Sequence, residues 1–405
     1  MYDDIDTDER PFVLIWELTQ ACELACKHCR AEAEPARHPD ELTTAEGEQL
    51  LEEAREFGAG QLVVLSGGDP LAREDAVDLV GYGADLGLRM TMTPSGTSSL
   101  TPDRIGALAD AGLRRMALSI DGGSPRAHDE FRQEPGSFRE TVAAARAVRE
   151  AGLPLQVNTT VCAETVGELP AIRDLVAELG AVLWSVFFLV PVGRGAVLDP
   201  VSPERAESIM EWLHAVQQEA PFGVKTTEAP HYRRVALQRA AGDAPAESSS
   251  GAAAESDGGP DAGPPGGQGT GDPGSGRDGD RGDRIGRRTG VTAGDGFAFV
   301  SHTGDLYPSG FLPEPVGNVR ETSVVDLYRN TALFERLRDP DALRGKCGAC
   351  PYRTVCGGSR SRAYAHTGDP LASDPLCAFV PEGYDGPLPA AWDGTRTDSG
   401  TGSAD

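Results

Sequence analysis

Lysine is nearly absent. The 405-residue chain has it only as Lys27, Lys225 and Lys346, and its other permanently charged bases are arginines. Aspartate and glutamate number 63 against 37 lysines and arginines, for a net charge of −26. The clustered basic residues that broad, salt-sensitive nucleic-acid binding requires are missing, so no nucleic-acid partner is expected. Long apolar runs are missing too. The longest, "WSVFFLVPV" (184–192), falls well short of the roughly 20 residues of a membrane-spanning helix. The opening "MYDDIDTDER" is acidic where a secretory signal needs a basic start and an apolar stretch. These absences read as a cytoplasmic protein with no membrane partner. The excess of acid over lysine reads as the solvating surface of a halophilic protein, a property of solubility and not of fold. No P-loop pattern occurs. "GYGADLG" (81–87) faintly resembles a dinucleotide fingerprint, but it falls inside or at the end of a helical stretch rather than between strand and helix.

What is present is regular alternation. The length suggests two or three domains. Strand-like runs occur at 12–19, 61–66, 89–95, 114–121, 153–161 and 181–190. Helical stretches separate them, including 43–58, where Thr43 and Glu46 have capping-box spacing, and 101–112, where Pro102 follows Thr101 at the cap. Six strands alternating with six helices predict an α/β fold with a parallel sheet and right-handed crossovers. Either a doubly wound sheet or a curved, incomplete barrel satisfies that pattern, while a full eight-unit barrel is two units short. The predicted layout is a partial barrel over 1–220, a connecting segment over 221–240 and a disordered Gly/Pro/Asp-rich linker over 241–290. A smaller α+β region with hairpin-like strands covers 291–382, and a disordered tail covers 383–405. The linker holds nine acids and five arginines, so most of the negative charge lies elsewhere.

Each unusual motif follows or ends a strand. "CELACKHC" (22–29) follows the first, "SGGDP" (66–70) the second and "TPSGT" (93–97) the third. "SIDG" (119–122) ends the fourth, "NTTV" (158–161) the fifth, and "VPVGRG" (190–195) follows the sixth. Parallel α/β folds bind ligands at the carboxyl ends of their strands, so six motifs on one rim point to a site. Loop punctuation by Gly, Pro and Ser explains any one of them but explains the six together poorly.

Cys22, Cys26 and Cys29 are spaced x3 then x2, with no fourth cysteine nearby. Structural zinc sites are closed by four ligands, often as paired C-x2-C. His28 adjoins Cys29, and neighbouring residues rarely reach one metal together. Iron–sulfur clusters take thiolates from short loops. Three of them on a four-iron cluster leave one iron open. A second group, Cys347, Cys350, Cys356 and Cys377, lies near the C-terminus. Its spacing admits either an iron–sulfur cluster or zinc. Clustered cysteines in a cytosolic chain favour metal over disulfides. Cys162, alone after "LQVNTTV", reads as a small buried thiol.

The C-x3-C-x2-C loop after the first strand of a six-unit βα sheet resembles the radical S-adenosylmethionine (SAM) superfamily. "GGDP" resembles that superfamily's "GGE" motif, with Asp69 in place of Glu. The C-terminal cysteines resemble its SPASM or twitch extension. "HCRAEA", "FLVPVGRG", "YPSGFLP" and "CGGSRSRAYAHTGDP" are similar to SPASM members related to haem biosynthesis.

The resemblance implies a partial (β/α)6 TIM-like barrel with a small C-terminal iron–sulfur domain. Cys22, Cys26 and Cys29 would hold a [4Fe–4S] cluster whose open iron is chelated by SAM. Gly67, Gly68, Asp69 and Pro70 would receive the methionine amine, with Ser95 in the next loop of the same site. Ser119, Asp121 and Asn158 would contact ribose and carboxylate, and the backbone near His28 and Val190 would flank the adenine. Reductive cleavage of SAM would yield a 5′-deoxyadenosyl radical that takes hydrogen from a substrate, and the protein's task is to place the substrate carbon. The resemblance also implies an electron donor such as ferredoxin or flavodoxin. The substrate would be a tetrapyrrole or, as for many SPASM enzymes, a peptide. A non-catalytic cysteine-ligated scaffold is the rival reading, and it leaves "GGDP" unexplained. Ser309 and Ser359 stand where many SPASM domains carry further cysteines, so one auxiliary cluster is expected, on Cys347, Cys350, Cys356 and Cys377. His231, His302 and Arg194 are candidates to line a substrate pocket. Arg194 and Arg360 are candidates to pair substrate carboxylates, with surface charge the competing reading for each.

Overall fold

A computed structural model describes residues 5–243 and 291–390. The predicted linker lies outside the described residues, apart from its first three positions. Only the first eight residues of the predicted tail, 383–390, are described, and they carry no helix or strand.

One sheet organises the chain. Its strands are β1 (Val13–Thr19), β2 (Leu62–Gly67), β3 (Arg89–Met92), β4 (Arg115–Ser119), β5 (Leu155–Val161), β6 (Leu183–Phe188) and β7 (Gly223–Thr227). After the linker come β8 (Phe297–Val300), β9 (Asp305–Tyr307) and β10 (Gly317–Asn318). The spatial order is β10-β9-β8-β1-β2-β3-β4-β5-β6-β7. From β8 through β7 every neighbour is parallel, and only β9 and β10 turn back antiparallel. The expected parallel α/β partial barrel is therefore present.

The crossover helices begin where their caps dictate. Thr43 accepts from the Glu46 amide while Glu46 accepts from the Thr43 amide, closing a capping box on Thr44–Glu56. Thr101 and Ser202 cap helices that each carry proline at the first position. Alternate strand residues, among them Trp16, Leu65, Met90, Leu118, Val157 and Trp184, pack into one core against these helices. Pairing of β1 to β8 and β4 to β7 leaves the residues between them on the opposite, concave face.

Three features depart from the sequence reading. Residues 221–240, expected to be a connector, contain β7 and most of the helix Tyr232–Asp243. β7 is an edge strand of Gly, Lys and Thr with one half-buried apolar residue, so it shows no alternation. The helix Pro125–Arg132 stands between β4 and Ser137–Glu150, where the sequence reading placed no element. The hairpin of β8 and β9 is present as expected, but it extends the barrel sheet through β1.

Candidate active site: two cysteine groups at the carboxyl rim

The loop after β1 carries the three cysteines, with Cys22 and Cys26 buried and Cys29 half-buried. The loop is folded on its own backbone. The Cys22 amide donates to the Glu34 carbonyl at 2.8 Å, and the Cys29 amide to the Cys26 carbonyl at 3.3 Å. Arg194 encloses it from the far side. Its backbone N–H donates to the Cys29 carbonyl at 2.9 Å, and its guanidinium to the carbonyls of Cys26 and Ala33 at 3.1 and 3.0 Å. Arg194 therefore braces the cysteine loop, and the substrate contact expected of it is replaced by that work.

Donors converge on the sulfurs. The Leu24 amide reaches Cys22 Sγ at 3.4 Å, and Ser95 Oγ lies 3.3 Å from the same atom. Arg132 Nη1 donates to Cys26 Sγ at 3.4 Å. Burial raises the Cys22 thiol above its ordinary value, and the Ser95 hydrogen bond opposes that. Arg132 is almost fully buried and ion-pairs with Asp121, Nε to Oδ2 at 2.9 Å. Burial opposes its charge, but the charges of Cys26 and Asp121 hold it firmly protonated.

Asp121, also buried, accepts from the Thr160 amide at 2.7 Å. Burial pushes its carboxyl up, and the Arg132 charge, together with His28, His128 and the Thr160 amide, outweighs that and holds it below the usual range. Its carboxylate thus serves the scaffold. His28 stacks on Phe131 with centroids 4.8 Å apart, and burial pushes its imidazole down to about 4. His28 Nδ1 and Arg132 Nη2 are buried without a hydrogen-bond partner among the described residues. Unmet polar demand beside thiol groups is what a bound, charged group answers.

"GGDP" follows β2. The Gly68 and Asp69 amides donate to the carbonyls of Thr19 and Ala21, at 2.8 and 2.6 Å. A Cβ on Gly68 would sit 2.3 Å from the Ala21 carbonyl oxygen, so only glycine allows this approach. The buried Asp69 carboxylate accepts from the Leu71 amide at 3.1 Å, Ser99 Oγ at 3.1 Å and Thr97 Oγ1 at 3.3 Å. It thereby fixes the turn opening at Pro70 and the loop after β3. Ser95 ties the parts together, donating to the Gly68 carbonyl at 2.9 Å. Ser119 and Asn158 pair across β4 and β5. Asn158 accepts from Gln156 at 2.8 Å. Val190 is buried after β6, its carbonyl bonded to the Val192 amide.

The C-terminal cysteines also gather. The charge of Cys377 acts on Cys356, and Cys347 acts on Cys350, Cys356 and Cys377. Burial first, and these neighbours with it, raises all three, Cys377 to about 11. Arg360 Nη2 reaches Cys347 Sγ at 3.6 Å, and the Asp374 amide donates to the same sulfur at 3.4 Å. Arg360 is buried and donates to the carbonyls of Pro370 and Ala372, so it too is structural. Among the described residues, no three His, Cys, Asp or Glu side chains close on a single ion position.

The remaining candidates separate. His231 is fully buried against Phe188, 3.9 Å from Asp374. His302 Nδ1 lies 2.6 Å from the buried Glu17 carboxylate, whose other oxygen holds Arg30 at 2.8 Å. Cys162 is a buried thiol among Phe131, Leu189 and Leu198. Residues 81–87 fall at the end of the helix Ala76–Asp85 and in the turn after it.

Two important residues were missed. Arg132 falls on the buried face of its helix with His128 and Phe131, a spacing of i, i+3, i+4 that makes a buried arginine legible. Glu228, in left-handed backbone at φ 54°, accepts from Ser309, Ser359 and Ser361. No pattern in the sequence marked it.

The radical SAM superfamily model matches residues 16–176. The AdoMet-dependent heme synthase of Methanosarcina barkeri is 38% identical over 371 residues, covering 92% of this chain and 97% of that protein. The Fe-coproporphyrin III synthase of the same organism is 26% identical, covering 93% and 89%. Among solved structures, Streptococcus suis SuiB bound to S-adenosylmethionine superposes with a TM-score of 0.64 at 16% identity, covering 92% of this chain and 78% of that one. The likeness to SuiB speaks to the fold.

The chain belongs to the radical SAM superfamily. It is a radical SAM enzyme of the SPASM type, and its cofactors are SAM and a [4Fe–4S] cluster. The donor set fits: three grouped thiols with N–H and O–H groups directed at two of the sulfurs suit a thiolate-held cluster.

Proposed function

We propose that the enzyme completes a haem-type macrocycle, acting on the carboxylate side chains of an iron tetrapyrrole. The observation that carries this is 38% identity to a haem synthase across nearly the whole of both chains. The two relatives' names also bracket a reaction. Haem bears two vinyl groups where Fe-coproporphyrin III bears two more propionates. Conversion removes from each of two side chains one hydrogen atom, which the 5′-deoxyadenosyl radical takes, one CO2, and one electron, which passes to an external one-electron acceptor.

In this reading Cys22, Cys26 and Cys29 hold the cluster that binds SAM, and together cluster and SAM supply the hydrogen-abstracting radical. Arg132 offsets thiolate charge, and Asp69 sets the two loops that flank SAM. Backbone at Gly67 and Gly68 receives the methionine amine. Ser119 and Asn158, adjacent on the concave face, take the ribose or carboxylate, with Asp121 orienting Arg132 behind them. His28 and Val190 bound the adenine side. Cys347, Cys350, Cys356 and Cys377 hold one auxiliary cluster, with Arg360 and the Asp374 amide directed at Cys347. The electron donor is a small carrier of the ferredoxin or flavodoxin kind. The setting is the cytoplasm of a cell that accumulates salt, a reading the acidic surface supports.

The test is anaerobic. Reconstituted, reduced protein is given SAM and Fe-coproporphyrin III, and porphyrin products and 5′-deoxyadenosine are followed by mass spectrometry. Haem formed together with 5′-deoxyadenosine, and lost in Cys26→Ala, is the expected result. 5′-Deoxyadenosine with unchanged porphyrin would reject the tetrapyrrole and turn attention to peptides. Iron analysis should give about eight atoms per chain for two four-iron clusters.

A further inference from the structure

The conversion proposed above takes a hydrogen atom, CO2 and an electron from each side chain and needs no proton acceptor. The concave face nevertheless holds one oriented imidazole. Trp16 and Leu18 of β1 pack into the helix-side core, so Glu17 between them lies on the concave face. Its buried carboxylate meets His302 Nδ1 at 2.6 Å through one oxygen and Arg30 Nη2 at 2.8 Å through the other. Burial pushes the Glu17 carboxyl up, and Arg30 and His302 together outweigh that and hold it below the usual range. An ionised carboxylate can only accept, so the proton between the two residues sits on His302 Nδ1. In the neutral ring the lone pair is then on Nε2. That nitrogen makes no hydrogen bond among the described residues, yet it is not walled in, and the side chain is 15% exposed.

Other histidines are disposed differently. His38, whose ring lies 5.4 Å from that of His302, accepts from the Asp40 amide through Nδ1, which puts its proton on Nε2. His128 and His231 are fully buried. The surroundings of His302 are also particular. Arg30 directly follows Cys29, so the Glu17 carboxylate ties His302 to the cysteine loop. Ala298, Val300 and Leu306 pack into the helix-side core, so Phe299 of β8 and its register partner Tyr307 of β9 share the concave face with Glu17. A carboxylate that holds the Nδ1 proton of a histidine fixes its tautomer and strengthens Nε2 as a metal ligand. A histidine so held is also how proteins commonly ligate the iron of a flat macrocycle.

We propose that His302, held by Glu17, is the axial ligand to the iron of the substrate, bound through Nε2. The inference rests on the proposed function, which makes that substrate an iron tetrapyrrole. Ligation gives the dyad a task that the proton-free stoichiometry does not. It also suits a reaction at two side chains of one macrocycle. The ligand lies on the axis through the iron, so the ring can turn about it and present its second side chain while it stays anchored.

The test follows the iron by spectroscopy. Reconstituted full-length protein, its histidines labelled with nitrogen-15, is mixed with ferric coproporphyrin III without SAM or reductant. Pulsed electron paramagnetic resonance should show the label coupled to the ferric iron, and His302→Ala should abolish that coupling. Imidazole added to His302→Ala should restore a nitrogen-ligated optical spectrum. In optical titrations His302→Ala should weaken binding of the ferric macrocycle by about tenfold or more. It should leave binding of metal-free coproporphyrin III within about threefold, which also shows that the variant is folded. Ferric macrocycle bound without histidine coupling, coupling that survives in His302→Ala, or equal weakening of the ferric and metal-free macrocycles would overturn the ligand while the tetrapyrrole reading stands. Binding of neither macrocycle by the unmodified protein would reject that reading and the ligand with it.

Discussion

Arg132 shows how one buried charge organises a site. It meets Cys26 Sγ on one side and Asp121 on the other. Removing it strands a buried carboxylate, an arrangement that costs about 3–5 kcal/mol. Arg132→Leu should lower the urea stability of the cluster-free protein by that order, whereas Arg132→Lys, which keeps the charge, should lose less. Equal losses would show that packing, and not charge, is what Arg132 supplies. Burial acts on His231 in the opposite sense. It is pushed from 6.5 down to about 4, with neither nitrogen hydrogen-bonded among the described residues. In the unfolded chain it takes a proton near pH 6.5, while in the folded chain it stays neutral until about 4. Folding stability therefore falls as pH drops through that window, by about 3 kcal/mol for this residue. His231→Phe should flatten the decline between pH 6.5 and 4 in urea titrations, and an unchanged slope would contradict it. The cysteines and the glycines were legible as residues because their chemistry is local. The carboxylate of Asp69 was not, because its partners Thr97 and Ser99 are about 30 positions away.

The join between the β1 loop and the β2 loop limits what either element can become. Gly68 lets the second loop run against the carbonyls of Gln20 and Ala21, which a Cβ would approach to 2.6 and 2.3 Å. Gly68→Ala must push these loops apart, and with them Cys22 and Ser95. The expected outcome is a protein with its helix content intact by circular dichroism that fails to take up its full complement of iron, retaining about half. A variant that loads both clusters would mean the approach is not required. Elements that bury one face declared themselves in the sequence. Thr44–Glu56 and Pro102–Asp110 carried caps as well as periodicity. β7 did not, because an edge strand facing a concave, polar wall has no apolar alternation to show. Pro125–Arg132 is short and mostly polar, and its buried face includes a histidine and an arginine, so apolar pattern alone passes over it.

At the scale of the whole molecule, two distant parts of the chain are clasped by buried polar groups. Arg362 donates to the carbonyls of Phe188, Leu189 and Glu228, with Asp374 behind it. β8, beyond the linker, pairs with β1. Neither contact has a signature in sequence, since strand pairing over such a separation depends on how the linker returns the chain. The rim itself was legible, because six motifs fell at strand ends. Charge is the other property of the whole. A net of −26 makes the compact state repel itself. Exposed pairs such as Arg146 with Glu178, at 3.3 Å, offset little of this. Salt shortens the reach of the repulsion from about 10 Å at 0.1 M to about 3 Å at 1 M. The buried pairs Arg132–Asp121 and Arg362–Asp374 are screened far less. Raising NaCl from 0.1 to 2 M should therefore raise the melting temperature by about 1.5–3 °C, a gain on the order of 1–2 kcal/mol. A variant in which surface glutamates such as Glu48, Glu52 and Glu56 become glutamine should start higher and gain less. If both proteins respond alike, general exclusion of salt from the surface is responsible and self-repulsion is not. If the melting temperature falls with salt, the exposed ion pairs outweigh the net charge, and the acidic surface is no adaptation to brine.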